Sequence, residues 1–339
     1  MRIGLIAPPW LAVPPKGYGG TEAVIDALAR GIAAEGHEVV LFATGDSTCP
    51  VPTEWVYAEG QDAGIGSGVV EMRHVVHAYE ALRGVDLIHD HTVLGPLYAQ
   101  WHPEAPVVTT HHSRFTEDFV DLFRIVAARA HVVAISHSQA SHAGDVPIDR
   151  VIHHGIDVDD YPYGTGRGGY LLFLGRMSAD KGPRRAIVAA REAGMPLRIA
   201  AKMREPGEFE YFESQVKPLL AGDIEYVGEV DARAKIELLA DATALVNPIR
   251  WDEPFGLVMV EALACGTPVL TFAEGAAPEI VDDGVTGFVC RDELELGRRA
   301  REVHLLDRRA CRTVASQRFS AQRMVRDHLA LYAEVLEKG

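Results

Sequence analysis

The stretch from Glu253 to Pro268, EPFGLVMVEALACGTP, combines two carboxylates with an almost uninterrupted apolar run. Residues 257–265 fit a helix that is apolar on every side and stops at Gly266, so the pattern predicts a buried helix. Glu261 is the single charge inside it. A buried carboxylate is costly unless it is hydrogen-bonded, so Glu261 needs a partner. That partner is either a core Lys or Arg or a polar group of a ligand.

Glu253 lies just before this helix, in a loop whose backbone is set by Pro254 and Gly256. Backbone N–H groups at a helix N-terminus favour anionic ligand groups. A carboxylate beside them does not serve phosphates, but it can accept hydrogen bonds from sugar hydroxyls. The alternative is an acid that interacts only with the helix dipole, which leaves Gly256 and Phe255 unexplained.

Two cations stand in the segment LGRMSADKGP, which follows a predicted strand and leads into a predicted helix. Arg176 and Lys181 would project from a tight loop at the carboxyl end of that strand. Together they can neutralise a diphosphate leaving group, because Arg offers a planar fork and Lys a point charge. The alternative is a pair of solvated loop charges.

Two weaker signals lie nearer the N-terminus. Gly19 and Gly20 permit close backbone approach to a phosphate or a sugar, or they form only a turn. Histidines cluster at 89–91, 111–112 and 153–154, each at or near a predicted strand end. Adjacent histidines on an extended chain point in opposite directions, so each pair offers at most one inward ligand. We therefore expect no metal, and one histidine per cluster that hydrogen-bonds a substrate.

The elements that position these residues are short apolar runs that alternate with helical patterns. Such alternation predicts parallel sheets covered on both faces, with ligands at the carboxyl ends of the strands. A first group of predicted strands covers 3–7, 39–43, 86–89, 107–110 and 132–135. A second group covers 170–174, 197–200, 224–227, 244–246, 268–272 and 287–290.

This alternation of strands and helices predicts an α/β fold of two Rossmann-like domains with parallel sheets facing a central cleft. Residues 1–157 are predicted to form the N-terminal domain, and residues 170–319 the C-terminal domain. The glycine-rich stretch 158–169 between them lacks periodicity and is predicted to be a linker and hinge. Residues 320–339 are predicted to form a terminal helix that docks back on the N-terminal domain.

Composition excludes several classes of protein. The 48 acidic residues outnumber the 33 basic residues, for a net charge of −15, so nucleic acid is not an expected partner. The four cysteines are far apart and no signal peptide precedes them, which indicates reduced thiols in the cytoplasm. No uncharged apolar stretch reaches about 18 residues, so no transmembrane segment is expected.

Three features of the chain together resemble the retaining glycosyltransferases of family 4, which have the GT-B fold. They are the GGTE loop at 19–22, the loop with Arg176 and Lys181, and the Glu253…Glu261 pair with seven residues between. The segment PEIVDDGVTGF at 278–288 extends the resemblance over most of the chain. The acidic pair with its Phe-Gly-Leu core is its most specific part.

The resemblance implies a role for each matching residue. Arg176 and Lys181 become the diphosphate clamp. The implied catalytic residues are these two together with His111 and Glu253. Glu261 becomes the ligand of the ribose hydroxyls, and His111 or its neighbour His112 lies near the transferred sugar. The other implied donor-binding residues are Gly19 and Gly20, Glu229 and Val230 near the base, Phe255 and Gly256, whose backbone holds the donor sugar, and Leu257 and Val258, whose N–H groups lie near the phosphates. The resemblance also makes residues 1–157 the acceptor-side domain and residues 170–319 the domain that binds the nucleotide sugar.

The implied activity is transfer of a sugar, with retention, from a nucleotide-diphosphate sugar to a small-molecule or glycan acceptor. The resemblance favours UDP as the nucleotide, because members of the family commonly use it. Neither a metal nor another cofactor is expected. Two alternatives stay open. A sugar-nucleotide epimerase would share this fold and release nucleotide without an acceptor, and a non-catalytic sugar-nucleotide binder would consume no donor at all.

Overall fold

The computed structural model describes residues 1–17, 19–102 and 104–338, and it divides the chain into two compact units. The first unit comprises Met1–Gly155 together with Ala321–Gly339, and the second comprises Ile156–Ser320. The chain therefore leaves the first unit for the second and returns to the first for its last helix. Residues 156–157, predicted to belong to the N-terminal domain, are part of the second unit.

In the described part of the first unit, seven parallel strands form one sheet in the order β3-β2-β1-β4-β5-β6-β7. The strands are β1 Arg2–Ile6, β2 Glu38–Ala43, β3 Thr53–Trp55, β4 Leu87–Asp90, β5 Val107–Thr110, β6 His131–Ala134 and β7 Arg150–Val151. The helices are α1 Gly20–Ala34, α2 Gly68–Ala81, α3 Gly95–Tyr98, α4 Glu117–Val126, α5 His137–Ser141 and α13 Ala321–Lys338. Strands β1 and β4–β6 are almost wholly buried and carry mainly apolar side chains, as expected for a sheet covered on both faces.

Helix α13 packs against the first unit although it is last in the chain. It approaches α1 so closely that a Cβ on Gly31 would overlap the side chain of Val325. On the sheet side, the hydroxyl of Tyr332 lies 2.6 Å from Nδ1 of His89 on β4. These contacts fix α13 by both packing and hydrogen bonding.

In the second unit, six parallel strands form a sheet in the order β10-β9-β8-β11-β12-β13. The strands are β8 Leu171–Arg176, β9 Leu197–Lys202, β10 Ile224–Gly228, β11 Ala244–Asn247, β12 Val269–Phe272 and β13 Gly287–Cys290. The helices are α6 Pro183–Ala193, α7 Pro206–Tyr211, α8 Ala232–Asp241, α9 Leu257–Ala264, α10 Ala277–Ile280, α11 Glu293–Ala300 and α12 Arg308–Arg318. Central strand β8 pairs with both β9 and β11.

The predicted fold class, two parallel-sheet Rossmann-like domains, is confirmed by these two sheets. Every strand predicted from an apolar run is present, and its ends differ from the predicted ones by at most two residues. Strands β3 and β7 were not predicted. Both are edge strands of two or three residues without an apolar run, so they carry no periodic signal.

The glycine-rich segment predicted as a linker is fastened to the second unit. Its amide groups donate to the carbonyls of that unit: Gly164 to Cys265 at 2.9 Å and Gly168 to Asp241 at 2.9 Å. A Cβ on Gly164 would overlap the carbonyl of Ala240. Glycine serves here for close backbone contact rather than for flexibility, so the segment differs from the free hinge that its composition suggested.

None of the helices in the described residues is both long enough and apolar enough to cross a membrane.

We expect Gly164→Ala to destabilise the second unit by about 1–3 kcal/mol, because the added methyl group must displace the backbone around Ala240. Urea unfolding followed by circular dichroism measures the change. The matched control is Gly207→Ala in α7, where a Cβ meets nothing within 4 Å and stability should hold or rise slightly. A Gly164→Ala variant as stable as wild type would show that the segment is not held in this way.

Candidate active site

The centre of the second sheet is the point where the strand order reverses. Strands β8 and β11 are neighbours there, but the chain continues from β8 into α6 and from β11 into α9. In open α/β sheets, ligands bind outside the carboxyl ends of the strands at such a switch point. The loops that follow β8 and β11 carry Lys181 and Glu253, so the topology brings these two predicted site residues together.

Lys181 and Glu253 form an ion pair in which the ammonium donates to Oε2 of the carboxylate. Both side chains are largely buried, at 13% and 15% exposure. Trp251 completes the group: its indole N–H donates to the same Oε2 at 2.8 Å, and its ring lies 4.8 Å from Lys181 Nζ. Trp251 was not identified from the sequence, although an indole two residues before the acid was a usable signal.

Arg176 ends strand β8 and points its guanidinium towards Asp180, with Nη2 3.4 Å from Oδ2. The side chain is about one third exposed. A further cation, Arg185 in α6, donates to the carbonyls of Asp180 at 2.8 Å and Pro248 at 2.7 Å. Arg185 thereby ties the loop after β8 to the loop after β11. No pattern in the sequence pointed to this role.

Helix α9 begins after Gly256, whose φ of 101° is in the left-handed region that favours glycine. The first turn of α9 contains no acidic residue, so no carboxylate of that turn offsets the positive end of the helix at the N–H groups of Leu257 and Val258. An anion is favoured at such a helix end. The side chain of Phe255 is buried against Phe319, which explains the aromatic residue by packing.

Glu261 has protein partners. Its Oε1 accepts hydrogen bonds from Lys235 Nζ and from the hydroxyl of Tyr161, the latter at 3.0 Å, and the carboxylate is 12% exposed. Burial, together with the negative charge of Glu261, raises the pKa of Tyr161 above its usual range. The structure thus shows the salt bridge to a core cation that was one of the two alternatives for Glu261. Both bonds use one oxygen, and a role towards the ribose stays a prediction.

The loop after β10 carries the residues predicted to lie near the base. Glu229 accepts a hydrogen bond from Arg204 at 3.0 Å, and both side chains are more than one third exposed. Val230 follows in the same loop, ahead of α8. These two residues are presented at the same edge of the second sheet as the loops after β8 and β11, since all six strands are parallel.

In the first unit, the predicted glycine pair lies at the start of α1. A Cβ on Gly19 would meet Pro15 at 2.8 Å and Glu22 Oε2 at 3.0 Å, and Gly20 is the first residue of the helix. Tyr18, in the same segment, lies outside the described residues. Burial raises the pKa of Glu22 from 4.5 to about 7, although a bond from its own N–H opposes the shift. The close approach at Gly19 is thus made by this unit's own side chains.

His111, which follows β5, is buried among the rings of three phenylalanines. Its ring centre lies 4.6–4.7 Å from those of Phe115, Phe119 and Phe123. Burial lowers the pKa of His111 to about 4, so the ring is neutral at pH 7. Its Nε2 is buried and has no hydrogen-bond partner among the described residues. A buried polar atom without a partner is costly, and the role of His111 towards the transferred sugar stays a prediction.

Five other histidines of the first unit form a chain of rings, which comprises His328, His89, His91, His112 and His154. Neighbouring ring centres are 4.0–5.2 Å apart, and Nδ1 of His91 lies 2.9 Å from Nε2 of His112. Burial lowers the pKa of all five, to about 3 for His112 and about 4 for His328. Within the described residues, these nitrogens do not converge in a group of three at metal-ligand spacing.

Two family models match the chain, one to each half. The model described as Glycosyltransferase Family 4 matches residues 18–160, and the model described as Glycosyl transferases group 1 matches residues 165–304. Among curated relatives, a phosphatidyl-myo-inositol mannosyltransferase of Mycobacterium leprae is 26% identical over 329 residues, which cover 85% of this chain and 83% of the relative.

Solved structures show the same architecture. Sucrose-phosphate synthase from Thermosynechococcus elongatus superposes with a TM-score of 0.81 at 20% identity, with all of both chains covered. The Anabaena protein HepE, solved in complex with UDP and glucose, gives a TM-score of 0.79 at 20% identity, with 98% of this chain and 99% of that chain covered. At this level of identity the two structures establish the fold.

We expect the stability of the first unit to fall as the pH is lowered from about 6.5 towards 4. An unfolded histidine has a pKa near 6.5, whereas burial lowers the pKa of His74, His111 and His328 to about 4. Between these values the unfolded chain binds the extra protons, so each histidine removes about 1.4 kcal/mol per pH unit. Urea midpoints at pH 7.5, 6 and 5 measure the loss.

Two buried carboxyls act in the opposite direction. The pKa values of Glu22 and Asp90 are raised by burial to about 7, so their contribution to stability grows as the pH falls from 7 to about 4.5. The histidines outnumber them, so the net slope keeps its sign. His328→Leu should make the pH dependence shallower by about one proton, whereas the exposed His304→Leu should not. A rise in stability between pH 7 and 5 would contradict this expectation.

Proposed function

This chain belongs to glycosyltransferase family 4 and is a glycosyltransferase of the GT-B fold, and from that premise we propose that it moves a sugar from a nucleotide-diphosphate sugar to an acceptor hydroxyl. The observation that carries the proposal is the grouping of Lys181, Glu253 and the start of α9 at the switch point of the second sheet. Cations and a helix N-terminus suit a diphosphate, and a carboxylate suits sugar hydroxyls.

In this proposal the diphosphate is bound by Arg176, Lys181 and the N–H groups of Leu257 and Val258. The sugar is held by Glu253 and by the backbone at Phe255 and Gly256. Glu261 uses the oxygen that Lys235 and Tyr161 leave open to bind the ribose. Glu229 and Val230 are assigned to the base. For the first unit we keep the proposals that Gly19 and Gly20 bind the donor and that His111 serves the transferred sugar.

UDP is the proposed nucleotide and a hexose the proposed sugar. The HepE structure holds UDP and glucose, and the mycobacterial relative is described as a mannosyltransferase. We propose that the acceptor is a small molecule or a glycan. The four cysteines are buried and unpaired, which supports a reducing compartment such as the cytoplasm.

The proposed mechanism retains the configuration of the sugar. The bond between the anomeric carbon and the diphosphate breaks, and the acceptor oxygen bonds to the same face while its proton passes to the departing phosphate. Negative charge grows on the leaving group during this step, so preorganised donors around it lower the barrier. Lys181, Arg176 and the start of α9 provide these donors, and the positive charge on the sugar is stabilised by nearby carbonyl and imidazole groups.

We expect Glu261→Ala to weaken binding of UDP about tenfold or more, because a charge-assisted hydrogen bond to the ribose is lost. At a UDP concentration of 100 times the wild-type dissociation constant, wild type should gain about 2.7 kcal/mol of stability and the variant about 1.4 kcal/mol. Thermal unfolding with and without UDP measures both. The control is Glu237→Ala, an exposed acid of α8. A folded Glu261→Ala variant that binds UDP as tightly as wild type would remove Glu261 from the site.

We also expect turnover to survive excess EDTA. The positive charge that balances the leaving diphosphate comes from Arg176, Lys181 and the start of α9, so no divalent ion is needed. Release of UDP from UDP-glucose and other UDP-sugars, with a panel of acceptors, measures the activity. Turnover that is lost in EDTA and restored by Mg²⁺ or Mn²⁺ would contradict the proposal. Nucleotide release that never yields a glycosylated acceptor would favour the epimerase.

A further inference from the structure

Trp251 contacts both residues of the central ion pair. Its indole N–H donates to Glu253 Oε2 at 2.8 Å, and its ring lies 4.8 Å from the ammonium of Lys181, which bonds to the same oxygen. An ammonium over an indole ring is attracted to it, more strongly when both are partly desolvated. One aromatic side chain therefore orients a cation and an anion at once.

The two donors leave Glu253 with one oxygen for a ligand. Oε2 receives both the Lys181 and the Trp251 hydrogen bonds, whereas no hydrogen bond from the described residues reaches Oε1. A carboxylate can accept about four hydrogen bonds, two on each oxygen. Oε1 is thus the atom through which Glu253 can meet sugar hydroxyls.

The backbone of Glu253 is held as firmly as its side chain. Its N–H donates to the carbonyl of Trp251 at 2.8 Å, and its own carbonyl accepts from Ala276 at 2.9 Å. A Cβ on Gly275 would overlap this backbone, so no space separates the two segments. Because the main chain cannot shift, the direction of Oε1 depends on what holds Oε2.

We propose that Trp251 is a positioning residue that keeps Oε1 of Glu253 directed at the donor sugar while Lys181 engages the diphosphate. This inference rests on the proposed function. A phosphate competes with Glu253 for the ammonium of Lys181, because both are anions. The indole N–H is neutral and belongs to a rigid ring, so the phosphate does not draw it away. Trp251 thus decides how well the enzyme distinguishes one donor sugar from another.

Trp251→Phe tests the proposal because it keeps an aromatic face for Lys181 and removes the N–H. The affinity for UDP should stay within about twofold of wild type. The added affinity that a sugar confers, measured as the ratio of the dissociation constants of UDP and a UDP-sugar, should fall about tenfold or more. Discrimination between UDP-glucose and UDP-galactose in kcat/KM should narrow in parallel. Calorimetric titration and UDP release measure these quantities.

Two further variants separate positioning from a purely structural role. Trp251→His keeps a ring N–H and should recover part of the lost discrimination, whereas Trp101→Phe, at an exposed tryptophan of the first unit, should behave as wild type. Circular dichroism and thermal unfolding confirm that each variant is folded. Equal losses of UDP and UDP-sugar affinity in Trp251→Phe and Trp251→His, together with lower melting temperatures, would overturn the proposal.

Ligand binding by the wild-type protein tests the proposed function separately from the role of Trp251. If wild type binds neither UDP nor any of UDP-glucose, UDP-galactose and GDP-mannose, the proposed function fails and this inference fails with it. If wild type binds a UDP-sugar and Trp251→Phe retains the full contribution of the sugar, the proposed function stands and Trp251 has no positioning role.

Discussion

Burial of two carboxylates at a single apolar helix is the constraint on which the second unit depends. Glu253 precedes α9 and Glu261 lies within it, and each must be paired because an unpaired buried charge is costly. Both acids are paired in the same way: one oxygen of each accepts hydrogen bonds from a lysine ammonium and from a neutral aromatic side chain. The two sets of donors are Lys181 with Trp251 and Lys235 with Tyr161. Each acid is thereby held through one oxygen, and no hydrogen bond from the described residues reaches its second oxygen.

The strand order decides which residues can take part in this pairing. Since β8 and β11 are adjacent, the loops that follow them meet, and Arg185 bonds across the junction to the carbonyls of Asp180 and Pro248. Charges supplied by separate loops are then held by a common backbone framework. Preorganisation of this kind is what electrostatic catalysis requires, because donors that are already in place need no reorganisation during the reaction.

The sequence predicted the sheets and the need of the buried Glu261 for a partner, because buried parallel strands are apolar runs and a lone charge in an apolar helix is conspicuous. It did not predict the partners: Lys235, Tyr161 and Trp251 are brought to the acids by tertiary packing, and their spacing along the chain carries no period. Glycine-rich composition suggested a flexible linker at 158–169, but Gly164 is required for close contact with Ala240. Composition alone does not separate these two uses of glycine.

The first unit is built from two separated pieces of chain, because α13 returns to it after the whole of the second unit. At a synthesis rate of about 5–20 residues per second, α13 emerges on the order of ten seconds after the sheet that it covers. At the end of that interval the second unit has every segment it needs, whereas the surface around Gly31 and His89 still lacks Val325 and Tyr332. The unit that the ribosome begins first is therefore completed last, and its face around Gly31 and His89 stays uncovered until α13 is made.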